Sequence, residues 1–526
     1  MRHFFLSPLL VGAALATAAT AAAQQGAPLV SHEHAKLVAP DAGAMDMFGA
    51  AVALDRGVAL IGTPMDAELG MDAGAAWIFR RGTNAGAWHA EAKLLPADGA
   101  EMDMIGHGLA LSGNRAATGA MGHDHAGADA GAVHVFAYDA ATMTWSQEAE
   151  LLAADPSAGA MFGFAVAMQG DRLLASAPGS GAAGAVYVFH RDQALGWRQV
   201  AKLEPAAGAA LGTMVEFGYA VDLSGDHALI GAKGADLGAD NTGAAFVFRR
   251  TAAGIWQEEA LLAPAALKGG DWLGRSVALD GDTALLGSIG AQAVGPSAGA
   301  AHVFHRDGAS GRWNEAATLV PADHRGGDWH GASVALEGDV ALVGSMFDDD
   351  NGNASGSAYL YRRDRASGLW TEVCKFLSSD GAQFRTDDWF GNAAALSGNT
   401  ALVGAFMESS QGIWAGAAYV CDWDVLGVAA MPVRAGLSNL VEVRHARPGQ
   451  LVHLAFSTAG RGLHYEASLD VSFDLDRPAA AGHARADANG DAAIRVWLPS
   501  MLSGRQIWAQ AAQWQWKSQV CTVTAR

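Results

Sequence analysis

A block that first appears as Phe48-Gly49-Ala50-Ala51-Val52-Ala53-Leu54, then a short turn, then Ala59-Leu60-Ile61-Gly62-Thr63-Pro64, recurs seven times along the chain. Internal repetition constrains a fold more than any local propensity. One unit cannot bury its own apolar face and must stack on its neighbours. Each copy opens on an apolar residue followed by Gly: Phe48-Gly49, Ile105-Gly106, Phe162-Gly163, Phe217-Gly218, Leu273-Gly274, a degenerate His330-Gly331, and Phe390-Gly391. A second anchor stands fourteen positions later in every copy, at Gly62, Gly119, Ser176, Gly231, Gly287, Gly344 and Gly404. The copies recur about every 55–60 residues, the spacing of propeller blades.

Between the anchors, apolar residues alternate into turns such as Ser112-Gly113-Asn114, Ser224-Gly225-Asp226 and Asp280-Gly281-Asp282, then alternate out again. Period-two alternation broken by Gly-Asp or Gly-Asn marks a β-hairpin, because Gly supplies the positive φ of a tight turn. A third strand follows, as in Ala75-Ala76-Trp77-Ile78-Phe79. A fourth carries a Trp and, six residues on, an apolar residue: Trp88/Leu94, Trp145/Leu151, Trp197/Leu203, Trp256/Leu262, Trp313/Leu319, Trp370/Phe376. Each repeat therefore reads as one four-stranded blade. That fixed Trp spacing points to core packing rather than to a sugar-stacking surface.

The seventh copy ends at Ala418-Tyr419-Val420-Cys421 without a fourth strand. Ala35-Lys36-Leu37, ahead of the first block, matches Ala92-Lys93-Leu94 and Ala201-Lys202-Leu203. The N-terminal strand is expected to complete the last blade, which closes the ring and removes an exposed sheet edge. The fold expected is all-β: a seven-bladed β-propeller over 30–424 closed by an N-terminal strand, followed by a small β-sandwich.

The blocks resemble FG-GAP repeats, the family of the integrin α-subunit head and of many secreted bacterial proteins. The resemblance rests on Phe48-Gly49 with Gly62-Thr63-Pro64, Phe162-Gly163 with Ala177-Pro178, and Phe390-Gly391 with Gly404-Ala405-Phe406, and covers roughly residues 33–423. It implies a seven-bladed propeller and often adhesion or ligand binding at the cell surface. In many members the turn between the anchors is a calcium loop of the Asp-x-Asp-x-Asp-Gly type. Here it has shrunk to turns like Ser112-Gly113-Asn114, too poor in oxygens to enclose a cation, so those calcium sites do not transfer.

Residues 1–23 carry a basic start, an apolar stretch through Leu9-Leu10-Val11 and small residues to Ala23, the pattern of a secretory signal peptide. The expected location is secreted, periplasmic or cell-surface, with no transmembrane segment left after cleavage. A net charge of −20 argues against nucleic acid and anionic membranes, which need a basic face. Three cysteines, Cys374, Cys421 and Cys521, rule out a disulfide framework. Residues 428–526 contain short strand-like runs, among them Leu451–Phe456 and Ala493–Trp497, divided by turns such as Asn489-Gly490-Asp491. This spacing reads as a β-sandwich.

Asp46, Asp103, Asp271, Asp328 and Asp388 each stand two positions before a first anchor. They either ring one mouth of the central channel as a cation or basic-ligand site, or cap their own loops by accepting from nearby backbone N–H groups. Asp348-Asp349-Asp350-Asn351-Gly352-Asn353 is the densest oxygen cluster. Asp348, Asp350, Asn351 and Asn353 are its candidate calcium ligands, although Gly and Glu are missing from the positions an EF-hand-type loop requires. The pairs His123/His125 and His32/His34 share a strand face and suit a transition metal, but neither has an identifiable third ligand. No nucleophilic serine with an assignable partner His and Asp is found, and no phosphate-binding Gly-rich loop precedes a helix. The reading is a non-catalytic propeller with no required cofactor, calcium being the one candidate, that binds an extracellular protein or glycan. The alternatives are a propeller enzyme acting on an extracellular polysaccharide, with paired carboxylates at the channel mouth, and a purely structural surface module.

Overall fold

Seven four-stranded antiparallel sheets follow the seven sequence blocks. In blade 1 the strands are Val52–Asp55, Val58–Thr63, Ala75–Arg81 and Trp88–Leu94. First strands touch the first strands of the adjacent blades and are therefore innermost. The computed structural model describes residues 29–82, 87–381 and 387–423, and beyond Trp423 a set of strands. Residues 1–23, expected from the sequence to be a signal peptide, lie outside the described residues. The chain divides into two compact units, Val30–Trp423 and a unit containing Asp424–Arg526.

Both anchors have a steric explanation. The apolar first-anchor residues of six blades are fully buried, at 0% exposure, as is His330 in blade 6. Each such apolar side chain contributes on the order of 1.5–3 kcal/mol. The glycine after it takes a positive φ, for example 95° at Gly106, a conformation that a Cβ disfavours. The second anchor lies against the next blade: a Cβ on Gly119 would sit 1.8 Å from the carbonyl oxygen of Gly163. Ser176 replaces this glycine in blade 3, and its hydroxyl accepts from the Ala165 N–H at 2.9 Å. The degenerate first anchor is equally accounted for. His330 Nδ1 lies 2.7 Å from Ser345 Oγ and Nε2 lies 3.3 Å from the Tyr361 hydroxyl. Burial holds its pKa well below the usual imidazole value, so a neutral ring fills the phenylalanine slot.

The ring closes as the sequence implies. Ala35–Leu37 pairs antiparallel with the third strand of blade 7, Lys36 opposite Tyr419. A further strand, Leu29–His32, adds a fifth member to the outer edge of blade 6, which the sequence did not announce. At the turn end of the channel a second closure runs through side chains. The last residue of each first strand accepts a backbone N–H from the turn of the next blade. The seven bonds are Gly113 to Asp55 (2.7 Å), Gly170 to Ser112 (3.0 Å), Gly225 to Gln169 (2.7 Å), Gly281 to Ser224 (3.0 Å), Gly338 to Asp280 (2.6 Å), Gly398 to Glu337 (2.8 Å) and Arg56 to Ser397 (3.0 Å). The oxygens of these shortened turns thus serve the neighbouring blade.

The fourth-strand tryptophans are half-buried and pack against the blade cores. Some also tie blades together: Trp145 Nε1 donates to Glu91 at 2.7 Å and Trp313 Nε1 to Glu259 at 3.0 Å. Cys374 and Cys421 are buried free thiols, and burial pushes Cys374 up to about 12.

Beyond Trp423 every described strand pairing is antiparallel. Ser438–Arg444 pairs with Ala492–Trp497, while Leu451–Ser457 lies between Ala479–Arg485 and Gln506–Gln513. Leu454 and Ile494, one from each sheet, are buried. The remaining side chains that would define sandwich packing lie outside the described residues.

Candidate functional site

First strands begin, and second strands end, at the opposite end of the channel from the turns. The five aspartates stand there, all buried. Four repeat one local bond, each accepting an N–H from three residues upstream: Asp46 from Gly43 at 2.6 Å, and Asp103, Asp271 and Asp328 from Ala100, Lys268 and Arg325 at 2.7 Å. They cap the loops that lead into their own blades. Burial raises the pKa of Asp46 and Asp328. In Asp388, burial and then the charge of Glu408 push it up to about 7, and its Oδ1 has no partner among the described residues.

The Asp348 cluster is organised around an ammonium group. Lys375 Nζ lies 2.9 Å from Asp348, 2.7 Å from Asp350 and 2.8 Å from Asp323. The Tyr359 hydroxyl donates to Asp348 at 2.7 Å and Ser357 Oγ at 2.9 Å. Burial pushes Asp348 up, but the Tyr359 hydrogen bond and the Lys375 charge outweigh it and hold the carboxyl below its usual range. Asn351 Nδ2 donates to the Ser378 carbonyl at 2.6 Å, and Asn353 Nδ2 to Asp387 at 2.5 Å. The four residues singled out in the sequence therefore do not converge: two face Lys375, and two are engaged elsewhere.

This pocket recurs. Its acid stands four positions after the second anchor, and its lysine stands just before the apolar residue that ends the fourth strand. In blade 1, Lys93 meets Asp66, Asp41 and Glu68, each at 2.7 Å. In blade 7, Lys36 meets Asp380 at 2.6 Å and Glu408 at 3.0 Å. Each ammonium also lies over a third-strand aromatic ring, at 5.6 Å from Trp77, 5.5 Å from Tyr419 and 4.9 Å from Tyr359.

A second repeated position was not singled out in the sequence. The residue immediately before each first anchor has a left-handed backbone in all seven blades: Met47, Met104, Met161, Glu216, Trp272, Trp329 and Trp389. In blades 5–7 the three tryptophans are half-buried and join Phe347 and Phe406 in a continuous arc. Ring centroids lie 6.4 Å apart for Trp272–Trp329, 4.7 Å for Trp329–Phe347, 5.1 Å for Phe347–Trp389 and 5.2 Å for Trp389–Phe406. On the other half of the mouth the same backbone position carries methionine. Reading the seven repeats column by column exposes the change from Met to Trp.

The FG-GAP repeat profile matches seven segments, 32–79, 88–136, 145–189, 197–248, 256–304, 313–361 and 370–421. The chain belongs to the FG-GAP repeat family. Each matched segment begins at the fourth strand of one blade and ends in the third strand of the next, so every family repeat bridges two blades. No curated protein matches the chain by sequence. Among solved structures, Saccharomyces cerevisiae Sqt1 is similar at 8% identity and a TM-score of 0.40, over 75% of this chain and 100% of that one. A putative 6-phosphogluconolactonase from Bacteroides uniformis is similar at 12% identity and a TM-score of 0.42, over 80% and 96%. Likenesses this distant carry no functional argument.

Proposed function

We propose that this FG-GAP propeller is a non-catalytic binding module, secreted or displayed at the cell surface, that holds a glycan against the aromatic arc of blades 5–7. One observation carries the reading. The same left-handed backbone position accepts Met, Glu and Trp, so the fold does not dictate tryptophan there. Three tryptophans in consecutive blades, joined by Phe347 and Phe406, form a part-exposed platform at a channel mouth. Aromatic faces bind large apolar area at low entropic cost, and the carboxylate-rich chain, at −20, disfavours polyanions. Four of the five mouth aspartates cap their own loops, which favours binding over the enzymatic alternative. A glycan array followed by intrinsic tryptophan fluorescence titration tests the reading. Trp329→Ala and Trp389→Ala are expected to weaken glycan binding at least tenfold, and Met104→Ala to leave it unchanged. Glycan binding indifferent to both tryptophans, or capture of protein partners alone, would overturn it.

A further inference from the structure

We propose that blade 2 holds a zinc-class divalent cation between His123, His125 and Glu150, with Asp103 orienting His123. The inference comes from comparing one pocket among blades. Where blades 1, 6 and 7 carry Asp66, Asp348 and Glu408, blade 2 carries His123. Where those blades carry Lys93, Lys375 and Lys36, it carries Glu150. The fourth-strand ammonium that fills the other pockets is replaced by a carboxylate, and an imidazole stands opposite. The pocket has kept its place and exchanged its own cation for ligands.

The geometry is that of a metal-binding imidazole. His123 is buried, and its Nδ1 lies 3.3 Å from Asp103 Oδ2. That oxygen is itself fixed by the Ala100 N–H at 2.7 Å. The other ring nitrogen, Nε2, faces Glu150 Oε1 at 3.6 Å. A carboxylate holding the far nitrogen of a ligating histidine is the usual outer support of such sites. One ligand atom from each of His123, His125 and Glu150 lies within 4.8 Å of the other two. Two ligands at zinc distances in a tetrahedron stand about 3.3–3.4 Å apart, so the His123–Glu150 spacing is within a few tenths of an ångström. His125 and Glu150 are exposed, while the loop that carries the histidines is pinned by Gly131 N–H to His123 O at 2.8 Å and Asp129 N–H to Asp124 Oδ1 at 2.9 Å. The imidazole rings of His123 and His125 already lie nearly parallel, 6.2 Å apart. Two imidazoles and one carboxylate suit zinc and leave a fourth position for water. Calcium needs about six to eight oxygens and is poorly served.

The competing account needs no metal: His123 as an imidazolium between Asp103 and Glu150 is its own cation. Calorimetric titration of Zn²⁺ into chelator-stripped full-length protein at neutral pH separates the two. The expected result is one strong equivalent, a metal-dependent rise in Tm, and no comparable heat with Ca²⁺. His125→Ala and Glu150→Gln alter exposed side chains, so neither threatens the fold, and each should weaken zinc at least tenfold. Absence of strong zinc binding supports the imidazolium account and overturns the proposal. So does zinc binding that survives when His125→Ala and Glu150→Gln are combined, since it would belong to other histidines.

Discussion

The two ends of the channel are built from the same seven repeats and treat repetition differently. At the turn end, every blade does the same thing. A side-chain oxygen from Asp, Ser, Gln or Glu accepts an N–H from the next blade, and seven such bonds complete a circle. At the loop end the backbone is equally regular, but its side chains diverge: methionine on one side of the mouth and tryptophan on the other, lysine pockets in blades 1, 6 and 7 and a histidine–glutamate pocket in blade 2. Uniformity marks what closure of the ring demands. Divergence on an unchanged backbone marks positions released from that demand, and the proposed glycan and zinc sites both lie there.

The largest effect is expected from a loop-end pocket. Lys375→Met removes the cation shared by Asp348, Asp350 and Asp323, leaving Asp350 its 3.3 Å pair with Arg325, and Asp348 is buried. Breaking a buried pair by deleting one partner costs about 3–5 kcal/mol, because the remaining charge is stranded. Urea unfolding of the full chain measures it. A loss below about 1 kcal/mol would mean that the ammonium is not the organising centre of blade 6.

A turn-end substitution is expected to cost less, because the ring shares its load. Asp280→Ala deletes one acceptor, and the Gly338 N–H it served can turn to water. The expected loss is about 0.5–1.5 kcal/mol. The same experiment at Ser224 should give a similar value, since Gly281 is bonded in the same way. Widely different costs at these two positions would break the claim that the turn end is uniform.

How far the sequence foretold each end follows from the same contrast. Anchor glycines are legible because a positive φ or an approach of 1.8 Å to a backbone oxygen disfavours a side chain there, so spacing alone reveals the blades. Closure by Ala35–Leu37 was legible because a missing fourth strand leaves its match elsewhere. The pockets were not, because their members are far apart in the chain: Asp348 and Lys375 lie 27 positions apart, and each alone looks like a solvated surface charge. The Asp348–Asn353 cluster offered candidate calcium ligands because its lysine counter-charge sits on another strand. The proposed third ligand beside His123 and His125 was hidden in the same way, Glu150 being on the fourth strand. The tryptophan arc was hidden because Trp272, Trp329 and Trp389 stand beside the repeat signature rather than in it. Leu29–His32 carries no repeat signature at all.

A pH series distinguishes two carboxylates at the loop end by the sign of their pH dependence. Asp348 has its pKa lowered by Tyr359 and Lys375. It therefore contributes stability above the ordinary carboxylate range that is lost as pH falls. Asp388 is the reverse. Burial, Glu408 and Asp380 push it up to about 7, against about 3.9 in an unfolded chain. The folded protein binds its proton more tightly. Its contribution is complete below about pH 4 and declines as pH rises through 7. Asp388→Asn keeps the shape without the charge and should flatten the fall in the urea midpoint between pH 5 and 8, while leaving the acid limb set by residues such as Asp348 in place. If the variant follows the wild-type curve across that interval, Asp388 is ionised at neutral pH and Lys36 must be holding its charge. Blade 7 would then resemble blade 6 more closely than its unpartnered carboxylate oxygen suggests.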